Sequence, residues 1–415
     1  MPAGEPRADD PGRRLKGLPT QPRNRFGYSE WAGSIGDLGT LLPLAYALAI
    51  SNHFPIERLF LLWGLVYIGT GWYFRVPVAV QPLKVMSVIA LAKGFAPHQL
   101  STAAWLFGLV MAGLVATGLL GKIERLFAPS IVRGIQLGVG LLLVQKGIQF
   151  VFDSGLYLHA DLSYPLLQVL GAGLILLILG YLQWARGIQI GFPLLLASIV
   201  ASAGAGVPMA MPRSSEPLLQ LDHPGLDFLL PALAFLIIPQ LPLTLGNAVF
   251  AASDACHIFW PDRSEKVNPS RLALSIGLSN VLIGLLGGFP ICHGSGGMGA
   301  HARFGGKTGG TTIILGSALV LVALVPVLRQ ALFLVPVPLL GALLVLSGLG
   351  MVQLITRLRG ADNLSVAILV GLVSLATRNL TLALLCGLGT ERLLHFVALH
   401  RAAHRRLADH AERLS

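Results

Sequence analysis

Apolar residues run in long unbroken blocks along this chain, separated by short polar turns. The blocks fall roughly at 31–50, 57–74, 78–93, 100–120, 131–150, 163–182 and 190–208, then at 229–251, 270–288, 291–304, 310–328, 333–355, 362–377 and 379–397. A helix needs about 20 apolar residues to cross a bilayer. The pattern therefore predicts an all-α polytopic membrane protein with about 14 transmembrane segments. A polar stretch rich in proline and acids, 209–228, divides them seven and seven. The third and tenth segments are short, and each opens after proline in a polar turn. Interrupted segments at matching places in two halves point to an inverted repeat with the binding site at the breaks. Seven is odd, so the halves must be inverted relative to each other. The expected domains are a cytoplasmic tail 1–29, a first repeat 30–208, an extracytoplasmic linker 209–228, a second repeat 229–397 and a basic tail 398–415, read as a surface helix.

Charge placement supports that map. With the N-terminus inside, 23 of the 30 Lys and Arg fall on inner segments, and Lys84 and Lys146 alone lie within spans. This is the positive-inside bias expected of a correct topology, with both termini cytoplasmic. The net charge of +11 then faces anionic headgroups, so membrane lipid is the expected partner and nucleic acid is not. Only 12% of the residues are charged, about half the share of a soluble domain. Cys256, Cys292 and Cys386 all lie in or beside apolar blocks and offer no disulfide framework. Residues 1–29 have no apolar core of a signal peptide, so the first span is expected to direct insertion.

Polar groups inside the spans are the candidates for chemistry. Asp37 lies in the first span, where an acid reads as a proton or cation relay, or as the partner of a buried base. The plainer reading is an interfacial aspartate wetted from the cytoplasm. Gly33, Gly36 and Gly39 recur at every third position beside it and allow close helix packing. In "PVAVQPLKVM", Gln81 and Lys84 stand three apart, which on a helix would give them one face. Lys84 lies too deep to snorkel easily and is read as facing a cavity, whereas Lys146 can reach the outer surface. The eighth span carries "IIPQLPLTLGNAVFA", with Gln240, Thr244 and Asn247 on one face; hydrogen bonding between helices is the structural alternative. The tenth opens "CHGSGGMGAHARFGGKTGG". Its Gly294, Gly296 and Gly299 fit a dinucleotide-binding spacing, but no βαβ unit surrounds them. A helix beginning near Ser295 would instead aim its positive end and free amides at an anion. No metal spacing joins Cys292, His293 and His301, and no cofactor is expected.

Together "SIGDLGTLLPL", "PVAVQPLKVM", "PQLPLTLGNAVFA" and "CHGSGGMGAHARFGGKTGG" resemble the plant and bacterial molybdate transporter family, a branch of the sulfate-permease superfamily, over residues 26 to 397. The resemblance implies core and gate domains, half-helices in segments three and ten meeting at the substrate, and a homodimer. It places Gly36, Asp37 and Thr40, Gln81 and Lys84, Thr244, Gly246 and Asn247, and His293, Gly294, Ser295, Gly296 and Gly297 at the site. The expected function is secondary transport of molybdate, with Lys84 neutralising the anion and Asp37 holding a coupling proton. No cytoplasmic regulatory domain like that of the sulfate permeases is expected after the last span. The short loops and compact termini suggest a bacterial plasma membrane.

Other readings stay open on the sequence. The same fold carries sulfate, bicarbonate, borate and nucleobases, although the eighth span lacks the carboxylate expected of a nucleobase permease. A passive anion channel is a further alternative. An intramembrane enzyme would need a nucleophile, base and orienting group at sensible spacing, and none is present.

Overall fold

The computed structural model describes residues 23–153, 155–157, 164–185, 191–207 and 217–414. The tail to residue 22, Arg186, and linker residues 209–216 with Arg213 lie outside the described residues. Each of the fourteen expected segments corresponds, in order, to a helix, a bent helix pair or a half-helix.

The first half runs α1 (Tyr28–Ile35), α2 (Leu38–Asn52), α3 (Ile56–Phe74), a two-residue strand β1 (Gln81–Pro82), α4 (Lys84–Lys93), α5 (Pro97–Ala116), the short α6 (Leu120–Glu124), α7 (Pro129–Phe152), α8 (Pro165–Ala185) and α9 (Gly191–Gly204). The second half opens with a continuous helical span, Leu226–Phe259. Within it α10 (Leu229–Pro231), α11 (Ile238–Leu243) and α12 (Ala251–Phe259) are separated by π-helical turns at Ala232–Ile237 and Thr244–Phe250. Pro239 and Pro242, which lack an N–H to donate, lie between the π turns. Then come α13 (Pro269–Leu285), a second strand β2 (Ile291–Cys292), α14 (Ser295–Arg303), α15 (Gly310–Leu324), α16 (Pro326–Leu332), α17 (Val337–Val352), α18 (Ala361–Thr377) and α19 (Leu380–Leu414). α19 continues from the last span into the basic tail without a break.

Among the described residues six helices are long and apolar enough to cross a bilayer, or eight if the bent pairs α1/α2 and α15/α16 each count as one span. Shorter apolar helices and the two half-helices make up the rest.

The halves interlock rather than sit side by side. α3 packs on α15, α13 on α5, and α17 on α7, so each main contact joins one repeat to the other. Glycine permits this closeness. A Cβ on Gly64 would lie 2.7 Å from the carbonyl oxygen of Gly316, and one on Gly316 would lie 2.5 Å from that of Gly64. Gly140 and Gly348 face each other in the same way between α7 and α17. Small residues do this work because apolar burial gives helices little reason to associate inside lipid, where close packing must supply the attraction. The glycine stripe of the first span behaves as expected at two positions: Gly33 abuts Gly306, and Gly36 abuts Ala300. Gly39 faces open space.

Candidate functional site

Two chain crossings build the centre of the molecule. β1 and β2 pair antiparallel, Gln81 with Cys292 and Pro82 with Ile291. The Leu83 amide adds a bond to Pro290 O at 3.0 Å. α4 begins directly after β1, and α14 begins three residues after Cys292. Two helix N-termini therefore start at one small antiparallel bridge. Prolines at 77, 82 and 290 and the glycines at 287 and 288 keep helix from forming through it. The exposed backbone finds partners in Asn280, whose side chain donates to Ile291 O at 2.8 Å and accepts from Ile291 N at 2.7 Å.

Asp37 lies at the break between α1 and α2, where the axis bends by 43°. Its carboxylate is buried and heavily solicited. Tyr67 of α3 donates to Oδ2 at 2.6 Å, Thr40 donates to Oδ1 at 3.0 Å, and Gln81 Nε2 donates to Oδ1 as well. Gln81 Nε2 also reaches Thr40 Oγ1 at 3.1 Å. Three side-chain donors from three different elements thus converge on its two oxygens. Tyr67 was absent from the sequence-derived site. The available signal was a tyrosine placed mid-span, where its hydroxyl needs a partner. Tyr67→Phe leaves Asp37 Oδ2 short of that donor in a buried setting. We expect a stability loss of about 1–3 kcal/mol, read as a lower melting temperature of the purified protein in detergent.

Gln81 does not share a helix face with Lys84, as the spacing suggested. It lies in β1, and the helix starts only at Lys84. Pro82 and the strand pairing hold the chain extended there, so the 3.6-residue period does not apply. Gln81 Oε1 is buried with no partner among the described residues, and a Cβ on Gly294 would lie 2.5 Å from it.

The two helix N-termini are not equivalent. Gln240 of the eighth span accepts from the amides of Val85 at 3.0 Å and Met86 at 3.2 Å, so the first turn of α4 is already capped from outside. The same side chain donates to Thr244 Oγ1 at 2.9 Å. Gln240 thus serves the interhelical role that was the structural alternative, and Thr244 braces it from within the same span. The N-cap of α14 is Gly294, and among the described residues no side chain caps the Ser295 and Gly296 amides, which a helix start leaves without an intrahelical partner. Ser295 Oγ donates to Asn247 Oδ1 at 2.8 Å, fixing the eighth span against α14.

Lys84 occupies the first position of α4, where a cation opposes the positive helix end. It is half-buried and forms no ion pair with a described carboxylate. Thr40, Lys84, Asn247 and Ser295 retain partial exposure and Gly296 is exposed, whereas Asp37, Gln81, Thr244, His293, Gly294 and Gly297 are buried. His293 bridges Ala79 O through Nδ1 and Ser275 Oγ through Nε2, both at 2.9 Å. With both ring nitrogens engaged it braces the bridge. His301 is held apart from it, with Nδ1 on Gly33 O at 2.9 Å. Among the described residues no group of three or more His, Cys, Asp or Glu side chains could hold a metal.

Sequence comparison decides the family. The model of the family described as "Molybdate transporter of MFS superfamily" matches residues 29–143 and 232–351. The chain belongs to the molybdate transporter family. Those two matched blocks contain the whole of the site, including β1, β2 and both half-helices. Molybdate transporter 1 of Chlamydomonas reinhardtii is 30% identical over 477 residues, covering 87% of this chain and 90% of that protein. Molybdate transporter 2 of Arabidopsis thaliana is 24% identical over 403 residues, covering 86% and 85%. Among solved structures, the transmembrane domain of the cyanobacterial bicarbonate transporter BicA aligns with a TM-score of 0.65 at 16% identity, covering 89% of this chain and 98% of that one. The family member described here therefore has the fold of an anion-transporter membrane domain and is an integral membrane protein. The two molybdate transporters come from an alga and a plant and lend no support to the bacterial origin suggested by the loops.

Proposed function

We propose that the protein is a secondary transporter of molybdate, working by alternating access, with the anion bound where α4 and α14 begin. The observation that carries this is Lys84, a cation with no described carboxylate partner, at the bridge from which the uncapped start of α14 also leaves. Helix amides, the dipole and a lysine suit a tetrahedral dianion at membrane depth. The reading is refined by the hydrogen bonds. The anion is held chiefly by the Ser295 and Gly296 amides and by Lys84, with Thr40 and Asn247 at the edge. Gln81, Thr244, His293, Gly294 and Gly297 shape the site without touching the anion. A fully ionised oxyanion has no proton to offer Gln81 Oε1, so that acceptor lies behind the site rather than in it.

Proton coupling through Asp37 is the finer part of the proposal. Its two oxygens accept from Tyr67, Thr40 and Gln81, and Gln81 belongs to β1, so a proton carried by Asp37 would be linked to the bridge through that contact.

The test is uptake of labelled molybdate by proteoliposomes, with sulfate as competitor and an imposed pH gradient. Uptake that survives excess sulfate and rises with the gradient is expected. In Asp37→Asn the gradient dependence should vanish. Equal competition by sulfate would broaden the substrate to oxyanions in general, and gradient-insensitive uptake by the unaltered protein would remove the coupling.

A further inference from the structure

α3 and α13 run antiparallel across the core, yet each has its main partner elsewhere, α15 and α5 respectively. Between them lies a seam with a cavity of about 540 Å³. It extends from Tyr73 and Arg271 at one end to Leu62 and Leu286 at the other, about 22 Å along α13. Its outer rim is apolar and exposed, Leu278 by 55% and Leu282 by 61%, so it opens sideways to lipid. Its floor includes Phe74 and Ser275. Ser275 is the residue bonded to His293, and the Phe74 ring lies edge-on to His293 with centroids 6.3 Å apart. One side chain therefore separates the seam from the β1–β2 bridge.

Two basic side chains, Lys266 and Arg271, lie at the Tyr73 end of the seam. Lys266 Nζ lies 5.4 Å from the centroid of the Tyr73 ring, and neither Lys266 nor Arg271 pairs with a described carboxylate. The adjacent Trp72 is 74% exposed, and exposed Trp and Tyr mark the headgroup level of a bilayer. This is also the side where the N-terminal segment lies, since Asn24 donates to Gly71 O.

We propose that this seam is a binding site for one anionic phospholipid, with an acyl chain along α3 and α13 and the phosphate between Arg271 and Lys266. Chain length fits the seam, and the charge at one end selects an anionic headgroup over a zwitterionic one. The chain supplies the packing that α3 and α13 do not give each other. It thereby holds Ser275 against His293 and stiffens the bridge from the side. This goes beyond the transport reading and does not depend on which anion is carried.

The experiment is retention of added lipid by the delipidated full chain in detergent, followed by native mass spectrometry without molybdate. Phosphatidylglycerol is expected to be retained more tightly than phosphatidylcholine. Arg271→Gln should cut phosphatidylglycerol retention about fivefold, the weight of one basic residue at a charged surface, and leave phosphatidylcholine unchanged. Leu278→Trp, which fills the seam, should remove the retention of both. Lys122→Gln on α6, which does not line the seam, should change neither. Equal retention of the two lipids by the unaltered protein, or a phosphatidylglycerol preference that survives Arg271→Gln, would overturn the assignment. Because molybdate is absent throughout, its outcome is separate from that of the transport reading.

Discussion

Lys84→Ala is expected to weaken molybdate binding by roughly 30- to 1000-fold while the protein stays inserted and folded. Removing one partner of a desolvated charge pair costs about 2–4 kcal/mol, which corresponds to that range. The direction follows from where the lysine stands. It occupies the first turn of α4, where its charge opposes the helix end, and no described carboxylate neutralises it. Its removal should leave the free protein no less stable, and a melting curve of the variant checks this. Lys84→Arg should keep much of the affinity, because the charge remains even though a planar guanidinium presents its donors differently. Isothermal titration with molybdate decides the matter. Unchanged affinity in Lys84→Ala would make the lysine a structural charge and move the anion elsewhere.

Gly297→Ala should abolish transport for a different reason. A methyl group at Gly297 would lie 2.6 Å from the Ala79 Cβ, 2.8 Å from Gln81 Nε2 and 2.9 Å from Asp37 Oδ1. Two of these atoms belong to the buried contact between Gln81 and Asp37, and the third belongs to the segment that leads into β1. Gln81 Nε2 and Asp37 Oδ1 are side-chain ends, but each is held by the other in a buried hydrogen bond, so α14 must shift or that contact must open. Overpacking of this kind costs about 1–3 kcal/mol. Uptake should fall to background while the melting temperature drops only by an amount consistent with that cost. Gly299→Ala is the matched control on the same half-helix, since a Cβ there meets only the Phe259 ring, at 3.7 Å. Equal loss in both variants would show that any substitution in α14 is damaging and would remove the specific role of Gly297.

Much of this architecture was legible beforehand because membrane insertion writes it into composition. Backbone groups in lipid must be satisfied within a helix, so a break in the apolar pattern at 77–84 or 287–295 has to be buried in protein. That reasoning located both half-helices, and α14 starts at Ser295 as its glycines and serine suggested. The glycine stripe of the first span was legible for the same reason, as a place of close approach. The hydrogen-bond assignment was not. Residues 240, 244 and 247 recur on one face, yet Gln240 reaches the amides of α4, Thr244 serves Gln240, and Asn247 binds Ser295. Three neighbours on one helix face serve three different partners, and nothing in their spacing distinguishes them.

The chain by itself determined the class of protein, the order of its segments and the points where helices must stop. Those follow from local physics: apolar length, proline and glycine. Only the tertiary structure decided which polar groups satisfy one another. Asp37, Tyr67 and Gln81 meet across 44 residues of sequence, and His293 is fixed by Ala79 across 214. It also made the two helix N-termini unequal, closing that of α4 with Gln240 while no described side chain caps the start of α14. A buried polar atom takes whichever complementary atom the packing brings within about 3 Å, and that choice is settled by the fold as a whole.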